Sequence, residues 1–237
     1  AGNLKRLTLE LGGNDAGIVL ADVNVKEVAP QIFGGLFHNN GQTCACLKRL
    51  YVHDSIYEEM CEALSAIAAN IKVGNGLEDG VELGPIQNSA QLNIVKNLAA
   101  SAKADGGRFL CGGNEIAGKG YFFEPTIVAD LKDGHRLVDE EPFGPIVPII
   151  RYSDVDEVIN RANQNENGLG GSIWSSDTAK AAQLAQRLEC GTAWVNEHGA
   201  LQPDAPFGGV KQSGIGVEFG PYGLKEYTVI QTLKVPK

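Results

Sequence analysis

The sequence predicts an α/β fold in which a mainly parallel, open sheet is flanked by helices. Two observations lead to this prediction. Short apolar runs typical of buried strands recur along the 237 residues, and amphipathic stretches with helical spacing separate them. Parallel strands need long crossover connections, for which helices are the usual solution, so the alternation indicates a parallel sheet. The pattern leaves the order of the strands open.

In the first half of the chain, hydrophobic periodicity predicts a strand at 16–21, a helix at 25–37, a strand at 50–52, a helix at 55–71 and a helix at 89–103. Asp22 lies where the N-cap of the first helix is expected. Pro30 conflicts with that helix unless it lies in the first turn or introduces a kink. Ser55 and Glu58 have the spacing of a capping box, which predicts the start of the second helix.

The second half continues the alternation, with strands at 108–111, 121–128, 146–151, 171–174 and 192–196 and helices at 154–163 and 178–188. Residues 227–235 alternate loosely between apolar and polar side chains, as an edge strand does. We therefore expect a C-terminal strand outside the main sheet.

The bulk composition excludes several classes of partner. The net charge of −9 argues against nucleic acid and against an anionic membrane surface. No apolar run approaches the ~20 residues that span a bilayer. Five cysteines without C-x-x-C pairs fit reduced thiols in a cytoplasmic protein. Cys44 and Cys46 are too close in sequence for a usual zinc half-site, and we expect no metal.

Two segments have the composition of a thiol-dependent active site. Phe37–Cys44 follows an apolar helical run, contains Gly41, which permits a sharp turn, and ends on a cysteine. A thiol at such a turn, beside free backbone N–H groups, can act as a nucleophile with a site for an oxyanion. Upstream, Leu9–Gly13 places Glu10 among leucines, where burial would raise the pKa of the carboxyl group and produce a general base.

These segments also carry a family resemblance. Phe37–Cys44 resembles the F-x-N-x-G-Q-x-C signature of the NAD(P)-dependent aldehyde dehydrogenases, and Leu9–Gly13 resembles their L-E-L-G-G signature. Glu141–Pro145 and Pro206–Gly214 resemble two further segments of the family. The four segments occur in the family's order, so the resemblance extends over nearly the whole chain. The family usually has a lysine after the two glycines, where this sequence has Asn14.

The resemblance implies that the chain is the C-terminal, catalytic portion of a longer enzyme, because a dinucleotide-binding fold precedes L-E-L-G-G in the family. Residues 1–14 would end that missing cofactor-binding domain, residues 15–215 would form the catalytic domain, and residues 216–237 would form a tail with an oligomerisation strand. In the family such a tail pairs with the sheet of a neighbouring subunit, so we expect a homodimer or a homotetramer.

The resemblance also implies two catalytic roles. Cys44 would attack the aldehyde carbon to give a thiohemiacetal, whose oxyanion the Cys44 backbone N–H would hold. After hydride transfer to the cofactor, Glu10 would act as general base on the water that hydrolyses the thioester. The aldehyde would thus leave as a carboxylate.

The cofactor-binding residues are implied in the same way. Glu141 would accept hydrogen bonds from the nicotinamide ribose, Phe143 would border that ribose, and Gln91 would contact the other ribose. Leu11 would place its backbone carbonyl near the carboxamide. We expect the full-length enzyme to use NAD or NADP. We do not expect residues 1–237 alone to bind it, because the strand, turn and helix that hold the pyrophosphate would lie outside them.

The substrate pocket is expected to include Thr43 and Ala45 on the two sides of the cysteine, Leu201, and Phe207 in the last of the four segments. These residues are uncharged, and several are small, which predicts an uncharged aldehyde as substrate. Asn39 is expected to brace the cysteine loop through its side-chain amide.

Three other hypotheses stay open at this point. A CoA-acylating aldehyde dehydrogenase would pass the acyl group to CoA and would have no need of Glu10. A structural or assembly module would fold and associate without binding a cofactor alone. A cysteine hydrolase would pair Cys44 with His198 near Asn196, although a surface loop is the simpler interpretation of that histidine.

Overall fold

The computed structural model describes residues 2–237, and within them seven strands form one mainly parallel sheet. All described strands, in chain order, are β1 (Leu9–Glu10), β2 (Asp15–Val19), β3 (Leu47–His53), β4 (Arg108–Cys111), β5 (Thr126–Leu131), β6 (Ile146–Tyr152), β7 (Asn167–Gly168), β8 (Gly170–Trp174), β9 (Thr192–Val195), β10 (Val210–Lys211) and β11 (Gly214–Ile215). The main sheet has the order β4-β5-β6-β3-β2-β8-β9, and β4 alone runs antiparallel to its neighbour. The predicted fold class is confirmed.

Helices cover both faces of this sheet. They are α1 (Val25–Phe37), α2 (Tyr57–Ala68), α3 (Ser89–Ala104), α4 (Arg136–Asp139), α5 (Val155–Asn163), α6 (Thr178–Ala185) and α7 (Gly220–Glu226). One core contains residues of α1 and α2, and the core on the opposite face contains residues of α3 to α6. Successive strand residues such as Ile18 and Val19 enter opposite cores, which explains the continuous apolar run of β2. None of the helices described for residues 2–237 combines the length and apolar composition needed to cross a bilayer.

The N-cap of α1 differs from its prediction. Asn24 is the capping residue, and its Oδ1 accepts a hydrogen bond from Lys26 N at 3.2 Å. Asp22 instead accepts hydrogen bonds from the hydroxyl groups of Ser175 and Ser176, each at 2.7 Å. The Asp22 carboxylate therefore joins the end of β2 to the end of β8 rather than capping a helix.

The capping box predicted for α2 does not form. The chain first makes a 3₁₀ turn at Asp54–Ile56, and α2 begins at Tyr57. Ser55 lies inside this turn, and its backbone N–H donates to His53 Nδ1 at 3.2 Å. Ser55 is therefore not at the N-cap position of α2. Pro30 lies within α1, beyond its first turn, and the helix continues through it to Phe37.

Other helices and strands begin or end at residues different from those predicted. The strand predicted from residue 121 begins only at Thr126, since Phe123 makes an isolated bridge with Glu115 instead. The helix predicted to end at residue 188 ends at Ala185. α7 was not predicted. Residues 228–237 form no strand within this chain, so pairing of this segment with a neighbouring subunit stays a prediction.

Two short antiparallel ladders lie outside the main sheet. β1 pairs with β11, which places Leu9 opposite Ile215 and Glu10 opposite Gly214. β10 pairs with β7. The first ladder joins segments that are distant in sequence, and it positions Glu10 beside the segment that follows Phe207.

Candidate active site

The loop before Cys44 owes its shape to three consecutive residues with left-handed backbone angles. Asn39, Asn40 and Gly41 have φ values of 49°, 60° and 72°. Asparagine tolerates this region better than most residues, and glycine adopts it without strain. A side chain at Gly41 would also overlap the carbonyl of Gly144, because the two backbones pass close to each other. The loop thus ends α1 and presents Cys44 just before β3.

Side-chain amides brace this loop. Asn39 Nδ2 donates to the Gln42 carbonyl at 3.1 Å, as expected from the sequence. Gln42 in turn donates from Nε2 to the Pro85 carbonyl at 3.0 Å and accepts from Gln87 N at 2.9 Å. No role for Gln42 was predicted, although its place in the cysteine motif was an available signal.

The Glu10 carboxylate lies near enough to the Cys44 thiol to change the acidity of that thiol. Burial and then the negative charge of Glu10 raise the pKa of the Cys44 thiol to about 11, and a hydrogen-bonding contact with Glu10 acts in the same direction. The Ala45 backbone N–H, which favours the thiolate, opposes these effects. Cys44 is therefore a protonated thiol at neutral pH, with a carboxylate beside it that can take its proton.

Glu10 approaches the thiol from an exposed ladder. The burial among leucines expected from the sequence is not present, since Glu10 is exposed and Leu11 is 60% exposed. The reason is that β1 pairs with β11 outside the main sheet and has no second layer over it in this chain. The Leu11 backbone N–H donates to the Ser213 carbonyl at 3.0 Å, which fixes the peptide that precedes its own carbonyl.

Glu141 lies against the two glycines that follow Leu11. Its Oε1 accepts from Gly13 N at 3.4 Å, and a Cβ on Gly12 would lie 2.7 Å from its Oε2. Gly12 has a φ of 91°, so both the backbone angle and the close carboxylate favour glycine there. Burial raises the pKa of Glu141 to about 7, and the positive charge of Lys48 and the Gly13 N–H act against that rise.

The turn that contains Glu141 has the groups that a ribose would need. A carboxylate accepts hydrogen bonds from sugar hydroxyls, and the half-buried Phe143 follows two residues later. Gln91 donates from Nε2 to the Pro142 carbonyl at 2.8 Å, so it holds this turn against α3. The carboxylate and the ring fit the nicotinamide-ribose end of a dinucleotide. Contact of Gln91 with a second ribose stays a prediction.

An apolar cluster lies beside Cys44. Ala45 and Phe207, two of the predicted pocket residues, are buried there with Leu169 and Trp194. Neither Leu169 nor Trp194 was predicted as a pocket residue. Each lies in or next to a predicted strand, where an apolar side chain is typical of the core.

The other two predicted pocket residues have different surroundings. Leu201 is half exposed and lines a cavity of about 190 Å³ together with Phe207 and Trp194. Thr43 does not line that cavity, and its carbonyl accepts from Cys46 N at 3.1 Å within the cysteine turn. Thr43 therefore shapes the turn, whereas Leu201 lies at the edge of the apolar cluster.

His198 is not the surface residue expected from the sequence. Its side chain is 1% exposed, and its ring packs against Trp194 with 4.9 Å between ring centroids. Nδ1 lies 2.9 Å from Ser172 Oγ, and Nε2 lies 3.4 Å from Asp15 Oδ2. Both ring nitrogens therefore face partners other than Cys44, and the Cys-His pair of a cysteine hydrolase is not formed.

A mainly parallel α/β sheet here presents a cysteine beside a carboxylate, with a second carboxylate close to two glycines, which is an arrangement suited to thiol chemistry. The aldehyde dehydrogenase family model matches residues 1–233. The chain belongs to the aldehyde dehydrogenase family.

Individual relatives agree with this assignment. Phenylacetaldehyde dehydrogenase of Pseudomonas fluorescens is 41% identical over 98% of this chain and 47% of its own length. Human mitochondrial aldehyde dehydrogenase is 39% identical over 99% of this chain and 46% of its own length. An NAD⁺ complex of aldehyde dehydrogenase from Bacillus cereus superposes with a TM-score of 0.91 at 39% identity, covering 94% of this chain and 45% of that one. The chain thus spans about half the length of the relatives it matches.

Proposed function

We propose that this chain is the catalytic part of an NAD(P)-dependent aldehyde dehydrogenase that oxidises an aldehyde to a carboxylate. The observation that carries the proposal is that the Glu10 carboxylate acts on the Cys44 thiol, whose pKa it raises. Membership of the family supports the same reaction. Residues 1–14 would end the cofactor-binding domain, residues 15–215 would form the catalytic domain, and residues 216–237 would form the tail.

In the first step, Cys44 Sγ forms a bond to the carbonyl carbon while the carbonyl π electrons move to oxygen. The thiol proton goes to Glu10, because a thiol with a pKa of about 11 is not ionised at neutral pH. The Cys44 backbone N–H donates to the resulting oxyanion. The product of this step is a thiohemiacetal on Cys44.

Bound NAD(P) supplies the acceptor for the hydride that leaves the substrate carbon. The role of the chain in that step is to hold the ribose with Glu141, to border it with Phe143 and to offer the Leu11 carbonyl to the carboxamide. Glu10, which is exposed to solvent, then releases the thiol proton to bulk water and becomes a carboxylate again. It takes a proton from a second water, whose oxygen bonds to the thioester carbon. The C–S bond breaks, the acid leaves, and the sulfur departs as the Cys44 thiolate, which is reprotonated. A base at Glu10 favours water over CoA as the acyl acceptor.

The apolar cluster beside Cys44 supports an uncharged substrate. Ala45, Leu169, Trp194 and Phe207 offer no charged group to an approaching aldehyde. The Pseudomonas fluorescens relative is a phenylacetaldehyde dehydrogenase. We therefore propose an uncharged aldehyde with an apolar substituent and use phenylacetaldehyde as the probe.

Assembly and location follow from other features. Tyr227, Val229 and Ile230 in the tail are more than 80% exposed, and we propose that residues 227–235 pair as an edge strand with a neighbouring subunit in a homodimer or homotetramer. The five cysteines are free, which supports a reducing compartment, and we propose the cytoplasm.

The first step can be tested without a cofactor. Phenylacetaldehyde labelled with ¹³C at the carbonyl is added to the chain, and ¹³C NMR is used to follow conversion of the carbonyl carbon to a protein-bound tetrahedral carbon. We expect this signal in the unmodified chain and in Cys111→Ser, a similarly half-buried cysteine, but not in Cys44→Ser. An equal signal in Cys44→Ser would remove Cys44 as the nucleophile.

A further inference from the structure

Lys48 is a fully buried lysine on the central strand β3. Its relative exposure is 0%, which is rare for a lysine because an unpaired buried ammonium is costly. Burial lowers the pKa of Lys48. A lysine retained at such a position needs partners that compensate its charge.

The partners of Lys48 belong to two separate segments. Its Nζ donates a hydrogen bond to the Gly41 carbonyl in the loop that precedes Cys44. The same Nζ lies 5.6 Å from the centroid of the Phe143 ring, within the range of a cation–π contact. The ammonium therefore lies where the cysteine loop meets the turn that contains Glu141.

The two segments are in close contact at this point. Gly41 packs against Gly144 so closely that a Cβ would overlap the Gly144 carbonyl oxygen. A cation that binds Gly41 on one side and faces the Phe143 ring on the other fixes one segment relative to the other.

Groups on several strands change the pKa of the Glu141 carboxyl group. Lys48 on β3 is the largest influence that lowers its pKa, and the Gly13 N–H assists. Burial raises the pKa most, and the negative charges of Asp15 on β2 and Glu10 on β1 add to that effect. Lys48 is the one positive side chain among these influences.

We propose that Lys48 is a positioning residue that joins the cysteine loop to the Glu141–Phe143 turn, and that its positive charge favours the ionised form of Glu141. On the proposed function, which this inference extends, an ionised Glu141 is the form that accepts two ribose hydrogen bonds, whereas a protonated carboxyl offers a donor in place of one acceptor. Lys48 would thus act on two parts of the site, because it holds the cysteine loop in place and favours the carboxylate form of Glu141 that accepts hydrogen bonds from the ribose.

The test is the titration of Glu141, followed by NMR of its ¹³C-labelled carboxyl carbon and assigned with Glu141→Gln. Lys48→Gln removes the charge but keeps a donor for Gly41, and Lys48→Arg keeps the charge. Lys26→Gln, at an exposed site on α1, is the matched control. We expect the Glu141 midpoint to rise by about one pH unit or more in Lys48→Gln, to rise less than half as much in Lys48→Arg, and to stay unchanged in Lys26→Gln.

An unchanged midpoint in Lys48→Gln, or an equal rise in Lys48→Arg, would overturn the proposal. A second measurement needs no variant at Lys48. In the unmodified chain, the ¹⁵N signal of Lys48 Nζ should change at the pH where Glu141 titrates, and this change should be absent in Glu141→Gln. A Lys48 signal that is insensitive to that titration would also overturn it.

Failure of the proposed function would give a different result. Nicotinamide mononucleotide at millimolar concentration should perturb the Glu141 carboxyl signal, and less so in Lys48→Gln. If it perturbs neither while the Glu141 midpoint still depends on Lys48, the cofactor role of Glu141 fails and the Lys48–Glu141 linkage stands.

Discussion

Asp15 Oδ2 lies 3.4 Å from His198 Nε2, and the two side chains are 0% and 1% exposed. The contact joins β2 to the loop after β9. Gly13 lies between this pair and Cys44, because a Cβ on Gly13 would lie 2.7 Å from Asp15 Oδ1 and 3.1 Å from the Cys44 carbonyl.

Removal of the Asp15 carboxylate should destabilise the chain. In Asp15→Ala, the buried Gly170 N–H loses the acceptor that it has at 3.0 Å. Each buried group left without a partner costs about 1–3 kcal/mol. Urea denaturation measures the loss. Asp156→Ala breaks only an exposed pair with Arg187 and should cost no more than about 1 kcal/mol; an equal loss in both variants would contradict the role of Asp15.

Cys44 should be the first thiol to react with substoichiometric iodoacetamide. Burial raises the pKa of Cys61 and of Cys190 to about 12 in each case, whereas that of Cys44 is about 11, so Cys44 has the largest thiolate fraction of these three. Peptide mass spectrometry identifies the labelled residue. First labelling at any other cysteine would contradict the assignment of the nucleophile.

The pH profile of that alkylation should depend on Glu10. Removing the negative charge in Glu10→Gln removes the second-largest cause of the raised pKa of Cys44, so the midpoint should fall below about 11. Glu62→Gln, an exposed substitution on α2, should leave the midpoint in place. Identical profiles for Glu10→Gln and the unmodified chain would mean that the carboxylate doesn't act on the thiol.

Glu10 should also control deacylation. With 4-nitrophenyl acetate, Cys44 is acylated without a hydride acceptor, so the hydrolytic half of the reaction can be followed in isolation. Glu10→Gln should give a burst of about one nitrophenolate per chain and then a steady rate about 10²–10⁴-fold slower, which is the usual cost of losing a general base. A normal steady rate in the variant would remove Glu10 from the hydrolytic step.

Calorimetric titration of NAD into residues 1–237 should give a dissociation constant no tighter than about millimolar. One charge-assisted contact to the ribose contributes roughly 1.5–3 kcal/mol, whereas ordering the ligand costs at least about 4 kcal/mol. On the proposed function, Glu141 and Phe143 would contact only the nicotinamide-ribose end. A micromolar constant would show that these residues form a complete cofactor site, contrary to our expectation.

Stability should fall as the pH rises through the titration of Glu141. The folded chain raises the pKa of Glu141 from 4.5 to about 7, so between these values the folded state binds more protons than the unfolded state. The free energy of unfolding therefore decreases from about pH 5 to pH 7.5 and then levels off. Glu141→Gln lacks this contribution. Glu140→Gln is the control, because Arg136 lowers the pKa of Glu140, so Glu140 makes the folded state more stable as the pH rises. If the free energy of unfolding has the same pH dependence in the unmodified chain and in Glu141→Gln, the pKa of Glu141 is not raised by folding.

The parts of the fold that the sequence predicted well are those set by neighbouring residues. The helix expected at 25–37 and the strand expected at 108–111 have the observed boundaries, because apolar spacing directly specifies the buried face. Two predictions were wrong. The strand does not begin at residue 121, because Phe123 forms an isolated bridge with Glu115. The capping box does not form at Ser55, whose backbone N–H donates to His53 instead.

The residues of the candidate site also fall into those that short motifs predicted and those that only tertiary packing revealed. Cys44, Glu10 and Glu141 were expected from short motifs whose glycines and carboxylates carry the chemistry. Lys48 and His198 were not assigned their observed roles, because a lysine in a strand and a histidine in a loop are usually solvated. Only the packing of β3 under the cysteine loop, and of the loop after β9 against β2, buries them.

The sequence by itself determined the alternation of strands and helices, the candidate nucleophile and the turn that precedes it, and the family to which these motifs belong. Those properties depend on side chains within a few positions of one another, whose spacing fixes a face or a turn. The tertiary structure decided the strand order, the β1–β11 ladder that brings Glu10 to Cys44, and the burial of Lys48 beside the Glu141 turn. Such contacts join residues far apart in the chain, and they form because the packing of the whole sheet offsets the entropy of closing the long loops between them.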